Sequence, residues 1–424
     1  MVPNGWEMLS LSDVVEFLDR KRVPIKASER SARSGPYRYY GASGVIDYVD
    51  DYIFDDDLIL LAEDGANILS RSTPLAFKVS GRIWVNNHAH VMKPKPGFDI
   101  DYLVEHLESL DYAPFNSGTA QPKLNRETCE NIPIKAPTFK EQEIIGRIAV
   151  TWDRSVELLE QLVTEKGKRK QALMQQLLSG EVRLHAFARR KVVNPRHVVC
   201  VPTAVRRGIY PPSVQPGIPK LIEKPDGWDE KTMAELLKTE KRRVQLDDDT
   251  EYELVVAKRN RGGIEPRGKL LGKDIRTSTQ FKVKAGDFVI SRRQIVHGAC
   301  GIVPDSLDGA IVSNEYSVFT VNEHLDPGYL RLLSHSLYFQ QTCFHSSVGV
   351  AVEKMIFKVE QWLKYPFLLP PIEEQRAITK TLETAEAEIA LLQQRVEKLK
   401  RQKKGLMQQL LTGKTRVKLP KGAA

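Results

Sequence analysis

Residues 170–184 read KQALMQQLLSGEVRL and residues 403–417 read KKGLMQQLLTGKTRV. From Leu173 to Gly180, seven of eight positions are identical at an offset of 233 residues. Without any gap, the same offset sets Pro133 on Pro366, Pro137 on Pro370, Glu141 on Glu374 and Gln142 on Gln375. It also sets Leu158–Leu159 on Leu391–Leu392. An offset held constant from Pro133 to Gly180 marks an internal duplication. The chain therefore reads as domain, helix, domain, helix.

Each copy opens on a proline-bounded apolar run, IPIKAP at 132–137 and YPFLLPP at 365–371. Proline removes a backbone donor and pushes the preceding residue out of the helical region. The helices are thus expected to begin near Lys140 and near Glu373, with acidic first turns that suit the positive end of the helix dipole. Gly180 and Gly413 stand where a C-terminal glycine ends each helix.

Apolar residues then recur in alternating steps of four and three. In the distal copy the seam is Ile378, Leu382, Ala385, Ile389, Leu392, Val396, Leu399, Lys403, Leu406 and Leu410. In the central copy it is Ile145, Ala149, Trp152, Val156, Leu159, Val163, Lys166, Lys170, Leu173 and Leu177. This is the a/d pattern of a coiled coil. A helix of about 40 residues is roughly 60 Å long. Lys166, Lys170 and Lys403 interrupt the seam, either to set its register or because the pair splays there. Two equal helices in one chain can pair with each other instead of forming a homodimeric zipper. If they pair antiparallel, each helix ends beside the other copy's globular domain and the molecule is pseudo-twofold.

The globular halves have a mixed α/β (α+β) pattern. Short strands with turn signals are expected at Tyr37–Tyr40, Asp57–Leu61 and Ala76–Val79, followed by a helix over Tyr102 to Leu110. The second half echoes that order, with Phe288–Ser291 answering Leu58–Leu61 and Tyr329–Phe339 answering Tyr102–Tyr112. Trp6 and Trp228 open the two halves. The expected boundaries are 1–138 for the first domain, 139–184 for the central helix, 228–371 for the second domain, 372–413 for the distal helix and 414–424 for a tail. Residues 185–227 hold seven prolines in 43 positions and read as a surface linker.

With 63 Lys+Arg against 54 Asp+Glu, the net charge of +9 permits a polyanionic partner without requiring one. The 41% hydrophobic fraction supplies real cores and excludes a mostly disordered chain. No run approaches the ~20 apolar residues of a membrane span, and the N-terminal segment lacks a secretory pattern. Cysteines 129, 200, 300 and 343 are scattered, as expected of reduced thiols in a cytoplasmic protein.

The charge is uneven. Between Val256 and Val296 there are eleven Lys/Arg and three Asp/Glu, clustered in KRNRGG (258–263) and SRRQ (291–294). Lys21, Arg22, Lys26, Arg30, Arg33 and Arg38 form a comparable run in the first half. Residues 44–70 carry eight acids and no base, so that surface is expected to face away from any polyanion. Basic loops suit phosphate contacts, and Arg, Asn and Gln also read base edges. The candidate DNA-contacting residues are Arg33, Arg38, Tyr39 and Asn87 in the first domain. In the second they are Lys258, Arg259, Arg261, Arg292, Arg293 and Gln294.

A catalytic centre is not evident. Gly413-Lys414-Thr415 mimics the end of a phosphate loop, but Gln408 stands where that loop needs glycine. Neither Pro-Pro pair has the Asp/Asn-Pro-Pro-aromatic form of DNA amino-methyltransferases. Asn87-His88-Ala89-His90 offers two histidines without a third metal ligand. No catalysis, and no metal or cofactor bound by this chain, is expected.

These features together resemble the specificity subunit of a Type I restriction-modification enzyme. The residues that carry the resemblance are IPIKAPTFKEQ (132–142), YPFLLPPIEEQ (365–375) and the helix endings LMQQLLSG and LMQQLLTG. YRYYGASG (37–44), LLAEDGAN (60–67), WVNNHAHVMKP (84–94) and GAIVSNEYSVF (309–319) look like parts of that family's target-recognition domains. The resemblance implies that each globular domain reads one half of a split double-stranded DNA site. It implies that the antiparallel helices fix the spacer and dock two modification subunits, with Leu173, Met174, Leu177, Leu406, Met407 and Leu410 as the helix residues for that contact. It further implies that methylation with S-adenosylmethionine, and ATP- and Mg-dependent restriction, belong to partner subunits.

Overall fold

Ten short strands build the first globular half. They are β1 (Glu7–Ser10), β2 (Val15–Phe17), β3 (Tyr37–Gly41), β4 (Gly44–Val49), β5 (Phe54–Asp55), β6 (Leu58–Ala62), β7 (Ala76–Val79), β8 (Arg82–Val85), β9 (Ala89–Pro94) and β10 (Pro133–Ala136). The expected strands at 37–40, 57–61 and 76–79 are present within a residue of their predicted ends. The fully apolar β6 is buried along its whole length, as a central strand should be. The computed structural model describes residues 2–118, 121–187, 220, 221 and 223–419. Within it the chain divides into two compact units, Met1–Val163 with Leu391–Ala424, and Thr164–Ala390.

In the first unit, one sheet has the order β2-β9-β6-β7 and a second the order β4-β3-β8-β5, while β1 pairs with β10. The β3–β4 hairpin is antiparallel with a register shift between Tyr39 and Tyr40, and β3 pairs in parallel with β8. The helix Ile100–Glu108 is capped by Asp99, whose carboxylate accepts from Tyr102 N at 2.8 Å.

The second unit repeats this plan with β11 (Asp229–Thr232), β12 (Leu237–Glu240), β13 (Arg243–Val244), β14 (Glu251–Ala257), β15 (Ile264–Leu271), β16 (Gln280–Lys282) and β17 (Phe288–Ser291). It continues with β18 (Cys300–Ile302), β19 (Ile311–Ser313), β20 (Tyr316–Val321), β21 (Ser347–Val348), β22 (Ile356–Phe357) and β23 (Pro366–Leu369). Its sheets are β12-β20-β17-β18 and β13-β16-β19-β14-β15, with β11 on β23. The β14–β15 hairpin shifts register between Leu254 and Val255, and β14 pairs in parallel with β19. Asp326 caps the helix Pro327–Leu333 by accepting from Tyr329 N at 2.8 Å. The fold is thus mixed α/β and built twice.

The central helix runs Phe139–Ser179 and the distal helix Ile372–Leu410, each beginning one residue before its expected start. Both end in the same cap. Gly180 and Gly413 are left-handed (φ 72° and 66°), and Val182 N and Thr415 N reach back to Gln176 O and Gln409 O. Every seam position named above is buried or half-buried, while between Val150 and Glu165 all other positions are exposed. In the first unit Lys400 meets Glu160 and Lys403 meets Asp153, both at 2.7 Å. In the second, Lys166 meets Glu388 at 2.7 Å and Lys170 meets Glu386 at 3.0 Å. Numbers rise on one helix as they fall on the other, so within each unit the segments pair antiparallel. The seam lysines set register: each finds a carboxylate across the seam, and Lys403 also takes Glu105 at 2.5 Å.

The Glu-Gln pair after each proline run joins helix to domain. Gln142 accepts from Asp99 N (3.0 Å) and donates to Pro137 O (2.9 Å). Gln375 accepts from Asp326 N (2.9 Å) and donates to Pro370 O (2.9 Å). In the first unit Arg416 grips Glu141 through Nε (2.6 Å) and a second nitrogen (2.8 Å), and Trp6 Nε1 donates to the same carboxylate at 3.2 Å. In the second, Arg183 grips Glu374, with Nε at 2.9 Å from Oε1. Gly413 lies so close to Pro3 that a Cβ there would stand 2.2 Å from the proline ring, and at Gly180 the matching distance to Pro225 is 2.6 Å. Each repeat's terminal Gly and Arg thus close the other repeat's domain within the unit they share.

Most of the expected linker, residues 188–219 and 222, lies outside the described residues, as does Cys200. Cys129, Cys300 and Cys343 are buried and free. No helix among the described residues is long and apolar enough to cross a membrane.

Candidate nucleic-acid interface

The first domain overturns one expectation about charge. Arg30 pairs with Asp47 at 2.8 Å and Arg33 with Asp50 at 2.8 Å, so the basic run and the acidic segment share one surface. The hydrogen bond from Arg30 holds the Asp47 carboxyl below its usual range. Arg33 also lies 4.9 Å from the centre of the Trp84 ring, which holds its guanidinium against the ring face. Tyr39 is a core residue, 1% exposed, with its hydroxyl accepting from Ile25 N at 2.9 Å. It offers nothing to a ligand: Tyr39 and the adjacent Tyr40 are both buried, in separate core clusters, which the run YRYY does not reveal. Arg38 is exposed on β3 opposite Tyr48, and Nη1 touches the Tyr40 hydroxyl at 3.2 Å. Asn87 is exposed in the turn between β8 and β9.

The neighbouring histidines do not form a metal pair. His88 Nδ1 faces Asp64 at 2.9 Å, while buried His90 donates from Nδ1 to Asp19 (2.7 Å) and from Nε2 to Leu124 O (2.9 Å). Among the described residues no group of three or more His, Cys, Asp and Glu could hold a metal ion.

In the second domain the structure brings two predicted loops together and adds a third. Arg259 Nε donates to Gln294 Oε1 at 2.9 Å and another of its nitrogens to Glu353 at 3.2 Å. His297 Nε2 approaches Glu353 at 3.1 Å. Lys258 pairs with Glu265 (3.0 Å) and Arg293 with Glu315 (2.7 Å), both at the surface. Arg292 is half-buried and brackets strand ends, its N–H donating to Glu315 O and its carbonyl accepting from Phe357 N. Arg261 departs from expectation. Its Nε donates to Ser334 O at 3.1 Å, and burial pulls its pKa below the ordinary guanidinium value. It anchors the loop from beneath.

Asn260 and the β21–β22 hairpin were not among the expected contacts. Asn260 sits in KRNRGG, where asparagine near a glycine pair signals a left-handed turn. The hairpin sequence SVGVAVEKMIF alternates weakly and carries no comparable signal.

The family profile for the Type I restriction modification DNA specificity domain matches residues 3–165 and 225–401. The chain belongs to that specificity family. A putative type I restriction enzyme specificity subunit of Haemophilus influenzae is 33% identical over 142 residues, covering 34% of this chain and 36% of that protein. The type I restriction enzyme MjaVIII specificity subunit of Methanocaldococcus jannaschii is 22% identical over 98% of this chain and 94% of its own length. The crystal structure of the type I restriction-modification S subunit from M. genitalium shares the fold with a TM-score of 0.56, at 11% identity and 99% coverage of both chains. The two profile matches fall on the two structural repeats, so this member of the specificity family carries two specificity domains, each followed by its long helix.

The helix residues expected to bind partners are used inside the chain. Met407 and Leu410 are buried in the first unit's core, with Leu406 packed against it. Met174 and Leu177 are buried in the second unit's core, with Leu173 packed against it. The strongest sequence identity between the repeats therefore records how each helix end closes a domain. The exposed apolar residues of these helices include Leu158 (48% exposed) and Leu391 (67%), which are equivalent in the duplication.

Proposed function

We propose that this specificity-family chain reads a bipartite double-stranded DNA site, one half with each globular domain, and that the paired helices set the spacer between the halves. The observation that carries this reading is one fold built twice with matching strand registers and dissimilar loops. β3 and β4 are joined by the two-residue turn Ala42–Ser43, whereas β14 and β15 are joined by the basic Lys258–Gly263. Equivalent frames bearing different loops suit two different half-sites. DNA half-sites repeat in phase about every 10 bp, so a fixed separation selects both distance and phase. Each mismatch costs ~1–3 kcal/mol, so two short half-sites multiply discrimination.

The test is the spacer. Inserting one heptad at matched levels of the central and distal helices preserves the a/d seam and adds about 10 Å. The recognised spacer is expected to lengthen by about three base pairs, read by sequencing methylated adenines. An unchanged spacer excludes the ruler.

We further propose two modification subunits as partners, with restriction subunits joining through them in the cytoplasm, and S-adenosylmethionine, ATP and Mg bound by those partners. Leu158 and Leu391, exposed and equivalent, are the proposed centres of the two docking faces. Leu158→Glu with Leu391→Glu is expected to reduce co-purification of the modification subunits at least roughly tenfold, while helix content by circular dichroism stays unchanged. Full assembly of the double variant would place docking elsewhere. A self-contained methyltransferase would instead bind S-adenosylmethionine as an isolated chain, and a protein-only scaffold would show no salt-dependent DNA binding with its partners present.

A further inference from the structure

The loop Lys258–Gly263 is held in an unusual backbone conformation. Asn260 (φ 57°) and Arg261 (φ 60°) are adjacent left-handed residues; among the described residues Arg71 is the other non-glycine case. Asparagine tolerates this region and arginine adopts it at a cost. That cost is offset from below. Arg261 N–H donates to Gly298 O at 2.9 Å and Nε to Ser334 O at 3.1 Å, and a Cβ added at Gly298 would lie 3.3 Å from the Arg261 side chain. With Arg261 turned inward, exposed Asn260 is left at the outer tip between Arg259 and Gly262.

Beside it stands the β21–β22 hairpin. Its root is fixed, since Val352 and Met355 pack on Val296 and Phe344 and Phe357 N donates to Arg292 O. Its neck is closed, since a Cβ on Gly349 would stand 2.8 Å from Lys354 O. Its tip is apolar and open, with Val350 98% and Val348 55% exposed. Glu353 on this hairpin accepts from Arg259 at 3.2 Å, which ties the two loops to each other, and His297 Nε2 lies 3.1 Å from the same carboxylate without hydrogen-bonding to it.

We propose that the loop Lys258–Gly263 and the hairpin Ser347–Phe357 form a composite reading head of the second domain for double-stranded DNA. Asn260 reads a base edge, Val350 packs against a thymine methyl group, and Arg261 is a positioning residue. An asparagine amide offers a paired donor and acceptor that match the N6 and N7 edge of adenine in the major groove. An isolated, fully exposed valine gains by meeting the groove's one apolar group, the thymine methyl. Of the cations around both tips, Lys258, Arg259 and Arg293 rest on the exposed carboxylates Glu265, Glu353 and Glu315, which they would exchange for the flanking phosphates, with Lys354 adding its charge beside them. The inference rests on the reading of the second domain as DNA-binding.

The experiment uses the complete complex with its modification subunits and reads methylated motifs and salt-dependent binding. Asn260→Gly keeps the backbone freedom and removes the amide. It is expected to relax one base pair of one half-site, with discrimination there falling roughly 5- to 150-fold, while the other half-site and the salt slope stay unchanged. Val350→Ser is expected to relax a neighbouring position that is A·T in the wild-type motif. Lys258→Ala is expected to weaken binding to all sequences and lower the salt slope by about one. Unaltered motifs in both Asn260→Gly and Val350→Ser, with assembled complexes, would overturn the reading head. A wild-type complex without any sequence-selective binding would instead overturn the parent reading, so the two failures are distinguishable.

Discussion

Glu141→Ala is expected to destabilise the first unit by about 1–3 kcal/mol, because it removes the charge-assisted hydrogen bonds of Arg416 and leaves the Trp6 indole without its acceptor, while Arg416, 43% exposed, regains part of its solvation. Glu141 is 1% exposed and takes Arg416 through two hydrogen bonds as well as the Trp6 indole. The Arg416 guanidinium also lies 5.5 Å from the centre of the Trp6 ring, so the arginine loses both its anion and its orientation. Hydrogen exchange should therefore accelerate roughly 5- to 150-fold at the end of the distal helix and across residues 403–417, with the core strands less affected. Glu374→Ala is expected to do the same at the end of the central helix, since Arg183 holds Glu374 in the second unit. Uniform or absent acceleration would show that the pair does not fasten helix to domain.

The second large effect concerns pH. His90 donates from both ring nitrogens, to Asp19 and to Leu124 O, and is therefore protonated. Burial alone would lower its pKa, but the hydrogen bond and charge of Asp19, aided by Cys129, outweigh burial and raise it from 6.5 to about 10. A raised pKa means that the folded state holds the proton more tightly than the unfolded chain. The stabilisation is complete below about pH 6.5 and is lost as pH rises through about 10. The first unit should thus lose stability steeply on the alkaline side, as followed by denaturant melts between about pH 6 and 11. His90→Gln, which cannot carry the charge, should cost about 3–5 kcal/mol at neutral pH and flatten that dependence. A wild-type profile that is level from about pH 6 to 10 would rule out the protonated imidazole.

Much of the architecture is legible in the residues themselves. The constant offset, the proline runs and the a/d spacing determine two helices, their ends within a few residues, and a duplication. These signals are local or periodic, and backbone geometry enforces them wherever they occur: proline stops a helix, glycine takes the left-handed cap, and a 3.5-residue repeat makes a seam. The family likeness follows from the same stretches. How identical-looking residues divide between core and surface is not written there. The family resemblance assigns LMQQLL to partner contact, but the segment closes a domain, because the surface it packs on is far away in the chain. Arg30 and Arg33 read as a free basic run until folding brings Asp47 and Asp50 against them.

The candidate interface shows the same division at finer scale. Composition placed cations at 258–263 and 291–294, and the structure brings those loops together. Tertiary contacts turn Arg261 inward, tie Arg259 to Gln294 and Glu353, and leave Asn260 and Val350 at the tips. Propensity and periodicity act over a few residues, and they suffice to specify two similar domains and two pairing helices. Which charges are neutralised, and which side chains remain free to touch another molecule, depends on contacts between segments that share no local pattern, and so is settled only when the chain has folded.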